Sequence, residues 1–203
     1  MSGPGGTGKT HCVFALQMLM TCYRCQHLLH FVVPTGSAAA IIDGSTIHKA
    51  FGIHVQNKEK GKHSQKLGSH CEDFAALISV KNRTQLQQDW KDVGFILIDE
   101  CSLLSQQILC EMDHALRYAK EIYDVPFGGI HCIISGDFYQ YPPVGGTALY
   151  IPISSSKTVS NKEIMKRLGR LAWKSLNAVM IFSEQEHMKD DFQYAEAVRR
   201  LQI

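Results

Sequence analysis

Four short, nearly continuous apolar runs punctuate the chain, and between them apolar positions recur every three or four residues. The runs are Leu28 to Val33, Phe95 to Ile98, Ile130 to Ile134 and Val179 to Phe182. Each is rich in branched aliphatic residues and lacks the apolar–polar alternation of a strand with one wet face. That pattern predicts strands buried on both sides of a parallel sheet. The clearest helix follows Ser105, a suitable N-cap, with Ile108, Leu109, Met112, Ala115, Leu116, Ala119 and Ile122 along one face. Another begins in the first turn after Gly8 and carries Val13, Phe14, Leu16 and Met20. Strands alternating with helices predict an α/β domain with crossover connections.

Two polar stretches interrupt this pattern. Gln56 to His70 and Ser154 to Lys162 are poor in apolar side chains and read as surface loops or insertions. No internal repeat or linker-like tract divides the chain, so residues 1–203 are expected to form a single domain. With 203 residues, 45% of them hydrophobic and 20% charged, the chain has enough apolar material for one sizeable core, which excludes a disordered or fibrous protein.

The net charge of +2 rules out a global basic surface, so any polyanion site must be local. The longest apolar runs fall far short of the roughly 20 residues of a membrane span, and no membrane association is expected. The N-terminus lacks a signal-peptide pattern, and the seven cysteines are scattered and odd in number. Reduced thiols and an intracellular location follow as expectations.

Three segments carry chemistry. Gly3 to Thr10 reads GPGGTGKT, a full match to Gly-x-x-x-x-Gly-Lys-Ser/Thr at the start of a helix. In such a loop backbone N–H groups from Gly3, Gly5, Gly6, Thr7 and Gly8 close around phosphates. Lys9 supplies a point charge, and the Thr10 hydroxyl can ligate Mg²⁺. A buried strand should precede the loop, yet only Met1 and Ser2 do, so a sheet lacking its first strand is expected. FILIDE, from Phe95, ends a strand in two acids: Asp99 is placed to hold Mg²⁺ and Glu100 to polarise an attacking water. IHCIISGDFYQYPPV, from Ile130, follows a strand with Gly-Asp, then Gln140 and a diproline. Gln140 can reach a γ-phosphate or attacking water from a stiffened loop.

These segments, with PTGSAAAIIDGSTIHKAFGI from Pro34, resemble in order and spacing the motifs of the petite-integration-frequency-type DNA helicases of superfamily 1B, which include Helitron helicases. The resemblance implies a P-loop NTPase with a RecA-like parallel sheet flanked by helices. It further implies ATP and Mg²⁺ as cofactors, 5′-to-3′ translocation on single-stranded DNA, and roles in DNA repair, recombination and telomere maintenance. A nuclear location would follow in a eukaryote, and no obligate protein partner is implied. Residue by residue, it assigns catalytic roles to Lys9, Glu100 and Gln140. It puts Thr35, Gly36, Thr46 and His48 on loops that contact the sugar-phosphate backbone, where hydroxyls and loop amides suit phosphates without reading sequence.

Two departures stand out. The family's next motif runs Glu-Gln, one residue, then Arg; here FSEQEHMKDDFQY, from Phe182, puts His187 at the Arg position. A neutral imidazole does not replace a fixed guanidinium. The second RecA-like domain of the family is absent from the sequence. Two other readings arise: a small-molecule kinase, for which the Asp99–Glu100 pair and the Gly136–Pro143 segment have no role, and a degenerate mobile-element fragment that binds nucleotide or DNA without turnover. Weaker signals favour plain structural roles. Cys22, Cys25, His27 and His30 have spacing too short for common zinc sites, and Trp90 and Trp173 read as core anchors. Lys58, Lys60, Lys62 and Lys66 form a basic run in the first polar stretch.

Overall fold

The computed structural model describes residues 1–41, 43–53, 80–153, 160–184 and 200. Its helices are α1 (Lys9–Cys22), α2 (Gly36–Ile41), α3 (Ile47–Phe51), α4 (Val80–Trp90), α5 (Gln106–Lys120) and α6 (Asn161–Lys174). The strands β1 (Leu29–Val33), β2 (Ser45–Thr46), β3 (Phe95–Ile98) and β4 (His131–Ile134) form one parallel sheet in the order β2-β1-β3-β4. Three of the four expected strands are present within a residue of their predicted ends. The short β2 was not legible, because two residues give no periodicity.

Alternation along the strands sorts side chains to two faces, and a parallel sheet covered on both sides needs exactly such buried pairs of faces. Ile96 and Ile98 of β3, Val32 of β1 and Ile134 of β4 join Trp90, Leu104, Leu109, Met112 and Leu116 under α4 and α5. Leu97, Leu29 and Val33 point the other way, to Val13 of α1 and Ala39 of α2. The two faces are unequal. Of the apolar face expected for α1, Val13 is buried, Leu16 and Met20 are half-buried against the same cluster, and Phe14 is exposed.

The helix after Ser105 forms as expected: the Ser105 hydroxyl accepts from Ile108 N at 3.2 Å. It ends at Lys120, so Ile122 lies beyond it and is exposed. Ser160 caps α6 in the same way, which moves the end of the second polar stretch into a helix start. Trp90 is fully buried, stacked on Phe51 with ring centroids 4.9 Å apart, and its indole N–H donates to Ala50 O. Trp173 is half-buried, edge-on to Phe138.

Val179 to Phe182 departs from the expectation of a buried strand. Val179, Met180 and Ile181 are 79%, 59% and 75% exposed, and only Ile181 is bridged. The cause is its partner. Ser2 bridges Gly136 on one side and Ile181 on the other, with Ser2 N donating to Met180 O and Phe182 N to Ser2 O, both at 2.8 Å. Ser2, at the place expected for the strand ahead of the glycine loop, thus makes the one bridge seen to this segment among the described residues.

Candidate functional site

All strands are parallel, so their C-terminal ends share one edge of the sheet, the edge where open α/β sheets bind ligands. A cavity of about 830 Å³ opens there. It is lined by the loop residues Gly5 to Thr10, by Asp99 and Glu100 beyond β3, and by Asp137 and Gln140 beyond β4.

The loop takes its shape from its own residues. Gly6 and Gly8 adopt φ of +81° and +86°, the left-handed region that a side chain disfavours, and Gly8 leads into α1 with nothing within 4 Å of its Cα face. The buried Thr7 hydroxyl donates to Pro4 O at 2.8 Å and braces the turn. Backbone amides in such a turn, ahead of a helix N-terminus, make an anion-binding concavity. Gly3 does not line the cavity. It is buried against Phe182, and its carbonyl accepts from Lys9 Nζ at 2.5 Å.

Lys9 also donates to Pro4 O at 2.7 Å, so its ammonium is folded inward onto the loop rather than standing free on the surface. Burial lowers its pKa below the ordinary lysine value, against the opposing pull of Asp137, Asp99 and Glu100. A phosphate offered to this ammonium would replace two neutral carbonyls with a charge-assisted partner. The loop's amides, the Lys9 charge, the Thr10 hydroxyl and the adjacent carboxylates are the donor set that a Mg²⁺-bound polyphosphate requires, and the residues fit that group.

The acids reach the cavity through a tight junction of two strand ends. Asp99 N still donates to Val32 O in the sheet, whereas Glu100 turns the chain with φ +58°. Cys101 N then donates to Ser135 O at 3.0 Å, tying β3 to β4. A Cβ on Gly136 would lie 2.7 Å from both the nitrogen and the sulfur of Cys101, so this approach requires glycine. Burial raises the Glu100 carboxyl above its usual value, Asp99 raises it further, and Lys9 opposes both. A carboxylate held closer to neutrality is a better proton acceptor. Burial likewise pushes the Cys101 thiol up to about 12, leaving it a neutral packing group.

Asp137 was not singled out from the sequence, yet it organises the loop after β4. Buried, it accepts from Tyr139 N at 3.0 Å through its carboxylate and from Gln140 N at 3.1 Å through its carbonyl. The Gln140 amide nitrogen is 3.7 Å from the Cβ position of Gly5, which places the side chain against the glycine loop. Gly-Asp immediately after a buried run was the available signal. His11, Cys12, Phe14 and Phe182, also in the lining, were not identified from the sequence as site residues.

The residues assigned to nucleic acid lie at the same sheet edge but outside the cavity. Thr35 follows β1, and its hydroxyl is 3.5 Å from Ser37 Oγ; Gly36 begins α2. Thr46 ends β2 and caps α3, its hydroxyl oxygen accepting from Lys49 N at 3.3 Å. His48 is half-buried in α3. His187 and the whole polar stretch 56–70, with its basic run Lys58 to Lys66, fall outside the described residues. Cys25 packs its sulfur against Met20, and the His30 ring lies 4.9 Å from Trp90, so these two side chains face different neighbours. Among the described residues, no helix is long and apolar enough to cross a membrane.

A parallel sheet, a glycine loop opening α1 and an acid pair at the end of β3 define a P-loop NTPase of RecA-like architecture. The chain belongs to the PIF1-like helicase family, whose model matches residues 1–190. It is 30% identical over 143 residues to the ATP-dependent DNA helicase RRM3 of Saccharomyces cerevisiae, an alignment covering 70% of this chain and 18% of that protein. It is 33% identical over 171 residues to the ATP-dependent DNA helicase PIF1 of Trypanosoma brucei, covering 83% of this chain and 15% of the relative. The crystal structure of the Pif1 helicase from Candida albicans matches the fold with a TM-score of 0.69 at 24% identity, over 99% of this chain and 39% of that one. The chain thus spans less than a fifth of the length of these curated relatives.

Proposed function

We propose that residues 1–203 are the first motor domain of an ATP-dependent DNA helicase of 5′-to-3′ type, which couples ATP hydrolysis to translocation on single-stranded DNA. The observation that carries this reading is the convergence, in one cavity, of the glycine loop, Asp99 with Glu100, and Gln140. The loop amides of Gly5 to Gly8 and the Lys9 ammonium bind the phosphates; Thr10 and Asp99 hold Mg²⁺, which when bound supplies charge to the phosphate oxygens. Glu100 orients the attacking water and takes its proton, and the Gln140 amide reads the γ-phosphate from the loop that Asp137 fixes. Thr35, Gly36, Thr46 and His48 grip the sugar-phosphate backbone at the same edge. Two relatives are named ATP-dependent DNA helicases, and a Bacteroides Pif1 structure is described as bound to single-stranded DNA. Family roles in DNA repair, recombination and telomere maintenance, in a nuclear setting for a eukaryote, belong to the same proposal.

The test is Lys9→Ala. Losing one charge-assisted contact should weaken Mg·ATP by roughly ten- to a hundredfold, about 1.5 to 3 kcal/mol. Unchanged affinity by calorimetry refutes the loop assignment.

One observation favours a second reading, a domain that binds nucleotide without turnover: His187 stands where the family carries Arg. An Arg finger contributes about 10³-fold or more to phosphoryl transfer, and a neutral imidazole does not. Single-turnover hydrolysis by the parent and by His187→Arg, each joined to a second motor domain, separates the two. Equal rates mean that position 187 is not the finger.

A further inference from the structure

α6 packs on α5, on the sheet face opposite α1, with Gly169 closing on Gln106 and Ala172 joining the core. Its outer side carries two stripes. Ile164, Leu168 and Leu171 stand at i, i+4 and i+7, and are 40%, 37% and 61% exposed. Lys162, Lys166, Arg170 and Lys174 stand four residues apart along a second ridge, and Arg167, three residues after Ile164 and four before Leu171, joins the two. α6 thus holds five cations against one acid, an excess of four, although the whole chain has an excess of only two. Helix stability does not account for this arrangement. Like charges four residues apart repel, and Lys162 sits in the first turn, where the helix dipole disfavours a cation. The single acid, Glu163, serves two of the five, Lys166 at 3.6 Å and Arg167 at 3.9 Å. Lys162 and Lys174 are exposed and pair with no carboxylate among the described residues.

We propose that the outer face of α6 docks an amphipathic helix of another protein, one whose apolar ridge is flanked by acidic residues. Apolar side chains at i, i+4 and i+7 are the anchors through which helices seat on a partner. Cations beside them fix the register of an acidic partner and speed its approach. A second copy of this chain does not suit the face, since each helix would bring an excess of four positive charges against the other. A phosphate backbone would satisfy the lysines but leave Ile164, Leu168 and Leu171 in water, and none of the three is an aromatic ring on which a base stacks. The face contributes nothing to the cavity lining, so docking there is separate from the nucleotide reading.

The experiment titrates the whole chain into a fluorescent helical peptide of about 18 residues, with leucines at i, i+4, i+7 and i+11 between two rows of glutamate, and into its twin with lysine in place of each glutamate. The glutamate peptide should bind at low salt and weaken steadily as salt rises, while the lysine twin binds about a hundredfold more weakly. Leu171→Asp and Lys174→Glu should each weaken the glutamate peptide by about tenfold, with far-UV circular dichroism at parental values to show that both variants are folded. Equal affinity for the two peptides, no binding of the glutamate peptide, or parental affinity in Leu171→Asp overturns the proposal. A different occupant overturns it too: self-association in sedimentation that Leu171→Asp abolishes, or binding of an oligothymidine strand or of phosphatidylserine vesicles that Lys174→Glu abolishes while leaving the peptide's affinity unchanged.

Discussion

Gly169 in α6 rests on the backbone of Gln106 in α5: a Cβ there would lie 1.7 Å from the Gln106 carbonyl oxygen. The same glutamine, fully buried, donates its side-chain amide to Ala148 O at 3.0 Å and Ile151 O at 2.7 Å. One residue thus seats α6 and the chain that leads to it. Two effects oppose each other in Gly169→Ala. Helix propensity favours alanine by about 1 kcal/mol, whereas overpacking costs about 1 to 3 kcal/mol and more where backbone must move. Because the obstacle is backbone, overpacking wins. Urea denaturation should show a midpoint lowered by the corresponding amount with an unchanged slope; a raised midpoint would mean that the helices separate freely.

Glu100 should show a conflict between chemistry and stability. Its raised pKa means that the folded chain holds the proton more tightly than the unfolded chain. Stability then falls as pH rises from the ordinary glutamate value of 4.5 through the folded value, and ionised Glu100 is a net cost at neutral pH. Glu100→Gln should raise the thermal midpoint at pH 7, with the gap closing below the ordinary value, while Mg·ATP still binds and hydrolysis is lost. A variant no more stable than its parent at pH 7 contradicts this.

Thr46 carries two assignments that a single alanine substitution cannot separate. Its hydroxyl caps α3, and losing such a cap costs about 0.5 to 2 kcal/mol. Thr46→Asn should keep the cap and the thermal midpoint yet disturb a backbone-phosphate contact made by the hydroxyl. A salt-dependent fluorescence titration with several single-stranded sequences is expected to show uniform weakening for Thr46→Asn combined with His48→Ala. Parental affinity in that double variant removes these residues from the DNA face.

The sequence carried the strands buried on both faces, the Ser105 helix and the glycine loop because each is a local signal: a branched aliphatic run, a helical period, a spacing of glycines around Lys9. Asp99, Glu100 and Gln140 were legible as strand-end residues. What was not legible depends on contact between distant segments. Phe14 looked like one more apolar position of α1, and only the fold shows that its neighbours are the phosphate loop and Phe182. Val179 to Ile181 has a strand's composition, yet among the described residues it is bridged only at Ile181, to Ser2. Asp137 needed the course of the loop after β4 to reveal its hold on Tyr139 and Gln140.

The unequal faces of the sheet have a consequence for local opening. α5 is anchored by Leu109, Met112 and Leu116, whereas α1 fully buries Val13 alone, with Leu16 and Met20 half-buried beside it. A helix with few buried apolar contacts belongs to the low-stability end of a native ensemble. Amide hydrogens of α1 should therefore exchange with solvent deuterium well before those of α5. The ligand proposed for the loop binds at the first turn of that helix, and at a hundred times its dissociation constant it adds about 2.7 kcal/mol to the state that binds it. Nucleotide then serves as a removable piece of core: bound, it should bring α1 protection toward that of α5, and on release the helix should loosen again.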